Sequence, residues 1–310
     1  MKKKSIIILV VIVIAALAAY QLLRNDQHLS DNYISKNNNP SKPINSHIQE
    51  KANTDGMKSE YSRNNMFTYG QSGMNAPLMA YKVNNQCPSR KILCVFAIHG
   101  FEDAFFKDGQ ALVDTANGVI EYFQNNPESL NEYELIIVTC ANPDGLAQGW
   151  TCNGPGRCQI SQGIDLNMDF DFNFRPRVNV RNLTGEKPFA SPEAAALRDL
   201  VFSEKPDIII DFHGWINCAA GDPQIAEIFC KHLGLTYEKT DQAIYDGFFS
   251  GWAAKYARAV LVEYPNPFTG QGSFDGTSDS EYDYTVQRFS DFRYTEKTIQ
   301  ALEEIVARKM

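Results

Sequence analysis

Four short apolar runs constrain the fold of this chain more than any other feature: residues 92–98, 134–140, 207–212 and 259–262. The first reads Ile-Leu-Cys-Val-Phe-Ala-Ile, and the second holds Leu-Ile-Ile-Val at its centre. Runs without polar alternation mark strands buried on both faces of a sheet. Residues 78–83 add a strand before them, after a turn-rich entry at 69–77. The segments between have helical period. One begins at Asp108 and places Leu112, Ala116, Val119, Ile120 and Phe123 on one stripe. Another begins at Ser191-Pro192-Glu193, with a serine cap and proline in the first turn, and reaches Glu204. Further helices are expected at 223–233 and 247–256. Ile299, Leu302, Ile305 and Val306 stripe a last one. Strands alternating with helices predict an α/β domain with a mixed, mainly parallel sheet and helices on both faces.

The two ends of the 310 residues differ in kind. Met1-Lys2-Lys3-Lys4 precedes an apolar stretch from Ile6 to Ala19, continued by Tyr20, Leu22 and Leu23. This predicts a signal-anchor or signal peptide at 1–23, so the rest is expected outside the cytoplasm, membrane-anchored or secreted. Residues 24–65 are rich in Asn, Ser, Lys, Asp and Gln and read as a disordered linker. His28 and His47 fall there and receive no role. The folded domain is expected at 66–310. A net charge of −8 without a basic cluster in the folded part excludes nucleic acid as an expected partner. Among the seven cysteines, Cys94 and Cys140 sit inside strand runs. Cys152 and Cys158 bracket a glycine-rich loop in an exported segment, where a disulfide is compatible with the compartment.

Three of the apolar runs end at groups that bind metal or move protons. The first stops at His99, with Glu102 three residues on; another stops at His213; the last stops at Glu263. Parallel strands bring such ends to one edge of a sheet, where α/β folds place their ligands. Two imidazoles and one carboxylate leave a fourth zinc position open, as in catalytic sites. Glu263 is then available as a general base. Arg157, between Gly156 and Cys158 on a long polar loop, is the cation for developing oxyanion charge.

These residues, with Asn142-Pro143-Asp144-Gly145, Gly163-Ile164-Asp165-Leu166-Asn167, Arg181-Asn182-Leu183-Thr184-Gly185, Ser191-Pro192-Glu193, Asp211-Phe212-His213-Gly214 and Leu261-Val262-Glu263, resemble the M14 zinc carboxypeptidases over residues 66–308. The resemblance implies one Zn²⁺ on His99, Glu102 and His213, with Glu263 as general base and Arg157 polarising the scissile carbonyl. It further implies Asn167 on the substrate's terminal carboxylate and Tyr245 as a mobile tyrosine over bound peptide. One position departs from the pattern: the family's arginine after this asparagine is Met168 here. A thioether offers a carboxylate neither charge nor donor. The expected substrate is therefore a peptide, with peptidoglycan stem peptides favoured over ordinary protein C-termini. Two rival readings are a zinc amidohydrolase acting on acylated amino acids and a non-catalytic peptide-binding module on the same fold.

Overall fold

The computed structural model describes residues 65–84, 87–105, 108–148, 156–239, 246–267 and 292–310. The expected membrane segment at 1–23, and the expected linker up to residue 64, lie outside them. Among the described residues, no helix is long and apolar enough to cross a membrane.

The chain opens with a hairpin of β1 (Met66–Gln71) and β2 (Pro77–Asn84), the former where only a turn-rich entry was expected. Then come β3 (Arg90–Phe96), α1 (Asp108–Asn125), β4 (Tyr133–Val138) and α2 (Pro143–Gln148). Next follow α3 (Pro192–Glu204), β5 (Ile208–Gly221), α4 (Pro223–Leu233) and β6 (Thr236–Glu238). Helix α5 (Phe249–Ala253), β7 (Arg258–Pro265) and α6 (Tyr294–Ala307) complete the order. The seven strands form one mixed sheet: β2 is antiparallel to β1 and β4, while β3 runs parallel to both β4 and β5.

Alternation along each strand divides the core. Ile92, Cys94, Phe96, Ile208, Ile210, Phe212, Val260 and Val262 pack under the helices α1, α4 and α6. Leu93, Val95, Ile209 and Ala259 face the other way, under α3 and α5. The continuous apolar runs are thus explained: both faces are covered, so residues of either parity are buried.

Three expectations about strand ends need correction. Strand β3 stops at Phe96 rather than at Ile98, because Ala97 takes a positive φ of 50°. Strand β5 does not end at His213. It pairs in parallel with β7 from Ile208 to Trp215, turns at Ile216 and Asn217, and pairs with β7 again. In this second arm the partners descend, Cys218 opposite Glu263 through Gly221 opposite Val260, so the arm runs back along the other edge of β7. Backbone donors and acceptors of β7 are therefore satisfied on both sides. Glu263 likewise lies within β7, not at its end. Helix α5 is shorter than the expected 247–256: Gly247 has φ 82° and sits outside it.

Candidate metal centre

His213 and Glu263 are register partners on neighbouring parallel strands. Side chains two apart on a strand share a face, so Asp211 lies beneath His213, with Oδ1 3.0 Å from Nε2. From the adjacent strand, the turn after β3 delivers His99 and Glu102. Asp108 at the head of α1 shapes that turn by accepting the backbone N–H groups of Glu102 (3.0 Å) and Ala104 (2.8 Å).

Glu102 stands between the two imidazoles. Its Oε2 is 2.8 Å from His99 Nδ1, and its Oε1 is 2.9 Å from His213 Nδ1. One donor atom from each of the three residues falls within 4.8 Å of the others. The remote ring nitrogens are held by carboxylates: His99 Nε2 is 2.9 Å from Asp165 Oδ1, and His213 Nε2 is 3.0 Å from Asp211 Oδ1. Carboxylates behind imidazoles fix ring orientation at metal sites. Asp165 and Asp211 were quoted within sequence motifs but given no role. The signal that pointed to them was their place two residues before Asn167 and His213.

The charges also fit a divalent cation. Glu102, Asp165, Asp211 and Glu263 bring four carboxylates to one buried region, against the guanidinium of Arg157. Burial alone would raise the Glu102 carboxyl, yet the two imidazoles hold it well below the usual range. Burial depresses both imidazoles, and Arg157 also depresses His99. Glu102 and Asp165 outweigh this at His99, Asp211 and Glu102 at His213, and both rings hold protons more tightly than usual. Protons thus stand where a cation would. Glu263 is different: burial pushes its carboxyl up to about 7, only partly offset by His213. Its Oε2 is enclosed and without a hydrogen-bond partner.

Arg157 enters from the loop opposite. Its Nη2 is 3.7 Å from Asp165 Oδ2 and its Nη1 is 4.0 Å from Glu102 Oε2. Nε and Nη1 are buried and make no hydrogen bond. Asn167 is buried beside His213, with Nδ2 3.5 Å from His213 Nε2; its Oδ1 accepts the Phe249 N–H at 3.0 Å. Its amide oxygen is therefore engaged in joining the 166–168 turn to α5. Cys158 carries a free, buried thiol 3.6 Å from the Arg181 carbonyl oxygen, and its expected partner Cys152 lies outside the described residues. Tyr245 lies outside them as well. The sequence-derived set His99, Glu102, His213, Glu263, Arg157 and Asn167 is brought together at one sheet edge.

A two-histidine, one-carboxylate centre with an adjacent unpartnered glutamate, set at the edge of a mixed α/β sheet, defines the class of zinc peptidases with an open coordination position. Residues 51–301 match the zinc carboxypeptidase model Peptidase_M14, and the chain belongs to that family. It is 36% identical over 244 residues to bacteriocin BCN5 of Clostridium perfringens, covering 77% of this chain but only 25% of the bacteriocin. It is 30% identical over 216 residues to murein peptide amidase A of Escherichia coli K12, covering 64% of this chain and 80% of the amidase. Among solved structures, carboxypeptidase A from Helicoverpa armigera shares the fold with a TM-score of 0.59 at 16% identity, covering 79% of this chain and 69% of that one.

Proposed function

We propose that this protein is a zinc-dependent metallopeptidase that hydrolyses an amide bond in cell-wall stem peptides. The observation that carries the chemistry is the convergence of His99 Nδ1, His213 Nδ1 and the Glu102 carboxylate next to the unpartnered Oε2 of Glu263. His99, Glu102 and His213 would hold a zinc ion, which would supply Lewis-acid polarisation and lower the pKa of a water. Glu263 accepts the water proton at Oε2 and returns it to the leaving amine, a role suited to a carboxylate whose burial places it near neutral pH. The Arg157 guanidinium, whose Nε and Nη1 make no hydrogen bond, is the cation available to the oxygen that gains charge. Asp165 and Asp211 keep each imidazole in one tautomer with Nδ1 forward.

The similarity to a murein peptide amidase supports the substrate class, as does Met168 in place of a carboxylate-binding arginine. The basic start at Met1–Lys4 and the apolar stretch after it support export and membrane attachment, which would place the domain beside the wall. Purified protein should cleave isolated stem peptides in a zinc-dependent manner. Glu263→Gln should retain zinc and lose roughly 10²–10⁴-fold in kcat. Stem peptides left intact, while ordinary C-terminal residues are released, would refute the substrate class. Near wild-type turnover by Glu263→Gln would refute the mechanism.

A further inference from the structure

The short segment 179–183 touches three parts of the site at once. Its centre is a 3₁₀ turn, Val180–Asn182, where Asn179 Oδ1 accepts the Arg181 N–H at 3.1 Å. Arg181 Nη1 donates to Asp103 Oδ2 at 2.5 Å, and Asp103 directly follows Glu102. The Arg181 carbonyl oxygen accepts the Cys158 S–H at 3.6 Å, and Cys158 directly follows Arg157. Two residues on, the Leu183 carbonyl accepts the N–H of Asp165, the carboxylate behind His99.

Each end of this brace meets something that needs holding. Asp103 has a φ of 64°, a left-handed conformation that a residue with a side chain keeps only when its contacts fix it. Its side chain is 4% exposed, whereas that of Arg181 is 39% exposed. The guanidinium therefore closes over an inward carboxylate from the rim. Arg157 is held mainly through its backbone: its guanidinium comes no nearer than 3.7 Å to Asp165 and 4.0 Å to Glu102, and Nε and Nη1 make no hydrogen bond. Asn142 Nδ2 donates to the Arg157 and Cys158 carbonyls at 3.3 and 2.9 Å. The Cys158 thiol on the Arg181 carbonyl is a second anchor of the same loop.

We propose that Arg181 is a positioning residue of this peptidase: through Asp103 and Cys158 it fixes the turn that carries His99 and Glu102 relative to the Arg157 cation, without itself touching zinc or substrate. This inference rests on the peptidase reading above.

The test reads zinc affinity by chelator competition, and kcat and KM on a stem peptide at saturating zinc. In Arg181→Ala, zinc affinity should fall roughly 10–100-fold. Its kcat should fall about 10–100-fold with KM nearly constant, because a small misplacement of reacting groups is felt mainly in the chemical step. Arg181→Lys keeps a cation and a donor and should recover part of both. Asp103→Asn weakens the same contact from its other side, so the test survives if one variant folds poorly. Residues acting through a shared contact give non-additive effects. Arg181→Ala should thus cost little further zinc affinity in Asp103→Asn and little further kcat in Arg157→Ala. Arg175→Ala removes an equal charge from the same segment, where Asp246 is the partner, and should leave zinc affinity at the wild-type value. Fully multiplicative losses in either pair overturn the proposal, as does an equal loss in Arg175→Ala. Wild-type zinc affinity and kcat in Arg181→Ala would overturn it while leaving the peptidase reading intact. A wild-type protein that neither binds zinc nor cleaves the peptide would refute the peptidase reading itself.

Discussion

At the scale of single residues, protons and a metal compete for the same nitrogens. In the metal-free protein His99 and His213 have raised pKa values, His213 well above the ordinary one. Glu102 is lowered and already ionised at neutral pH. Zinc requires neutral imidazoles. Uptake at pH 7 is therefore expected to release protons from the rings and none from Glu102. Affinity should fall as pH drops below the raised imidazole pKa values and level off above them. Titration calorimetry in two buffers of different ionisation enthalpy reads the proton count directly. Heats that do not depend on the buffer would mean that the rings are neutral before zinc arrives.

At the scale of elements, the start of α1 and the metal-ligand turn act as one piece. Asp108 accepts two N–H groups of that turn. One residue later, a Cβ on Gly109 would come within 1.7 Å of the Gly100 carbonyl oxygen, a backbone atom that no rotamer change can move. Gly109→Ala should push the helix away from the turn that carries His99 and Glu102. Overpacking of this kind is expected to lower the unfolding free energy by about 1–3 kcal/mol. It should also weaken zinc binding, because the ligands are displaced together. Thermal unfolding and a zinc titration on the variant check both. A wild-type melting temperature together with wild-type zinc affinity would show that the helix and the turn are independent.

At the scale of the whole molecule, the sheet carries its own core and the metal adds to it. Helices cover both faces with apolar side chains. Chelation should therefore leave far-ultraviolet circular dichroism almost unchanged and still lower the melting temperature. A ligand present at a thousand times its Kd stabilises the native state by about 4 kcal/mol. Calorimetric scans of the zinc-loaded and chelated protein should separate accordingly. Coincident scans would argue against a resident metal at this centre, and loss of the dichroism would argue that zinc is needed for folding.

The sequence by itself determined the mixed α/β class and pointed to most of the residues that meet at the candidate site. Buried parallel strands leave continuous apolar runs, and the groups at 99, 102, 213 and 263 interrupt those runs at chemically distinctive points. Arg157 was legible from the glycine beside it and its loop setting. The rest depended on contacts between segments far apart in the chain. Asp211 and Asp165 resemble any buried acid until His213 and His99 are placed 3.0 and 2.9 Å from them. The return arm of β5 could not be read, because a polar residue after an apolar run signals a strand end locally. Here His213 is polar and buried, and the backbone of β7 still needed partners on its second edge. Nor could spacing say which acids the arginines after Met168 reach. Arg175, Arg177 and Arg181 share one short segment, and only tertiary packing sends the first two to Asp246 and the third to Asp103. A side chain's charge is written in the sequence, whereas the partner that fixes its direction is chosen by the fold.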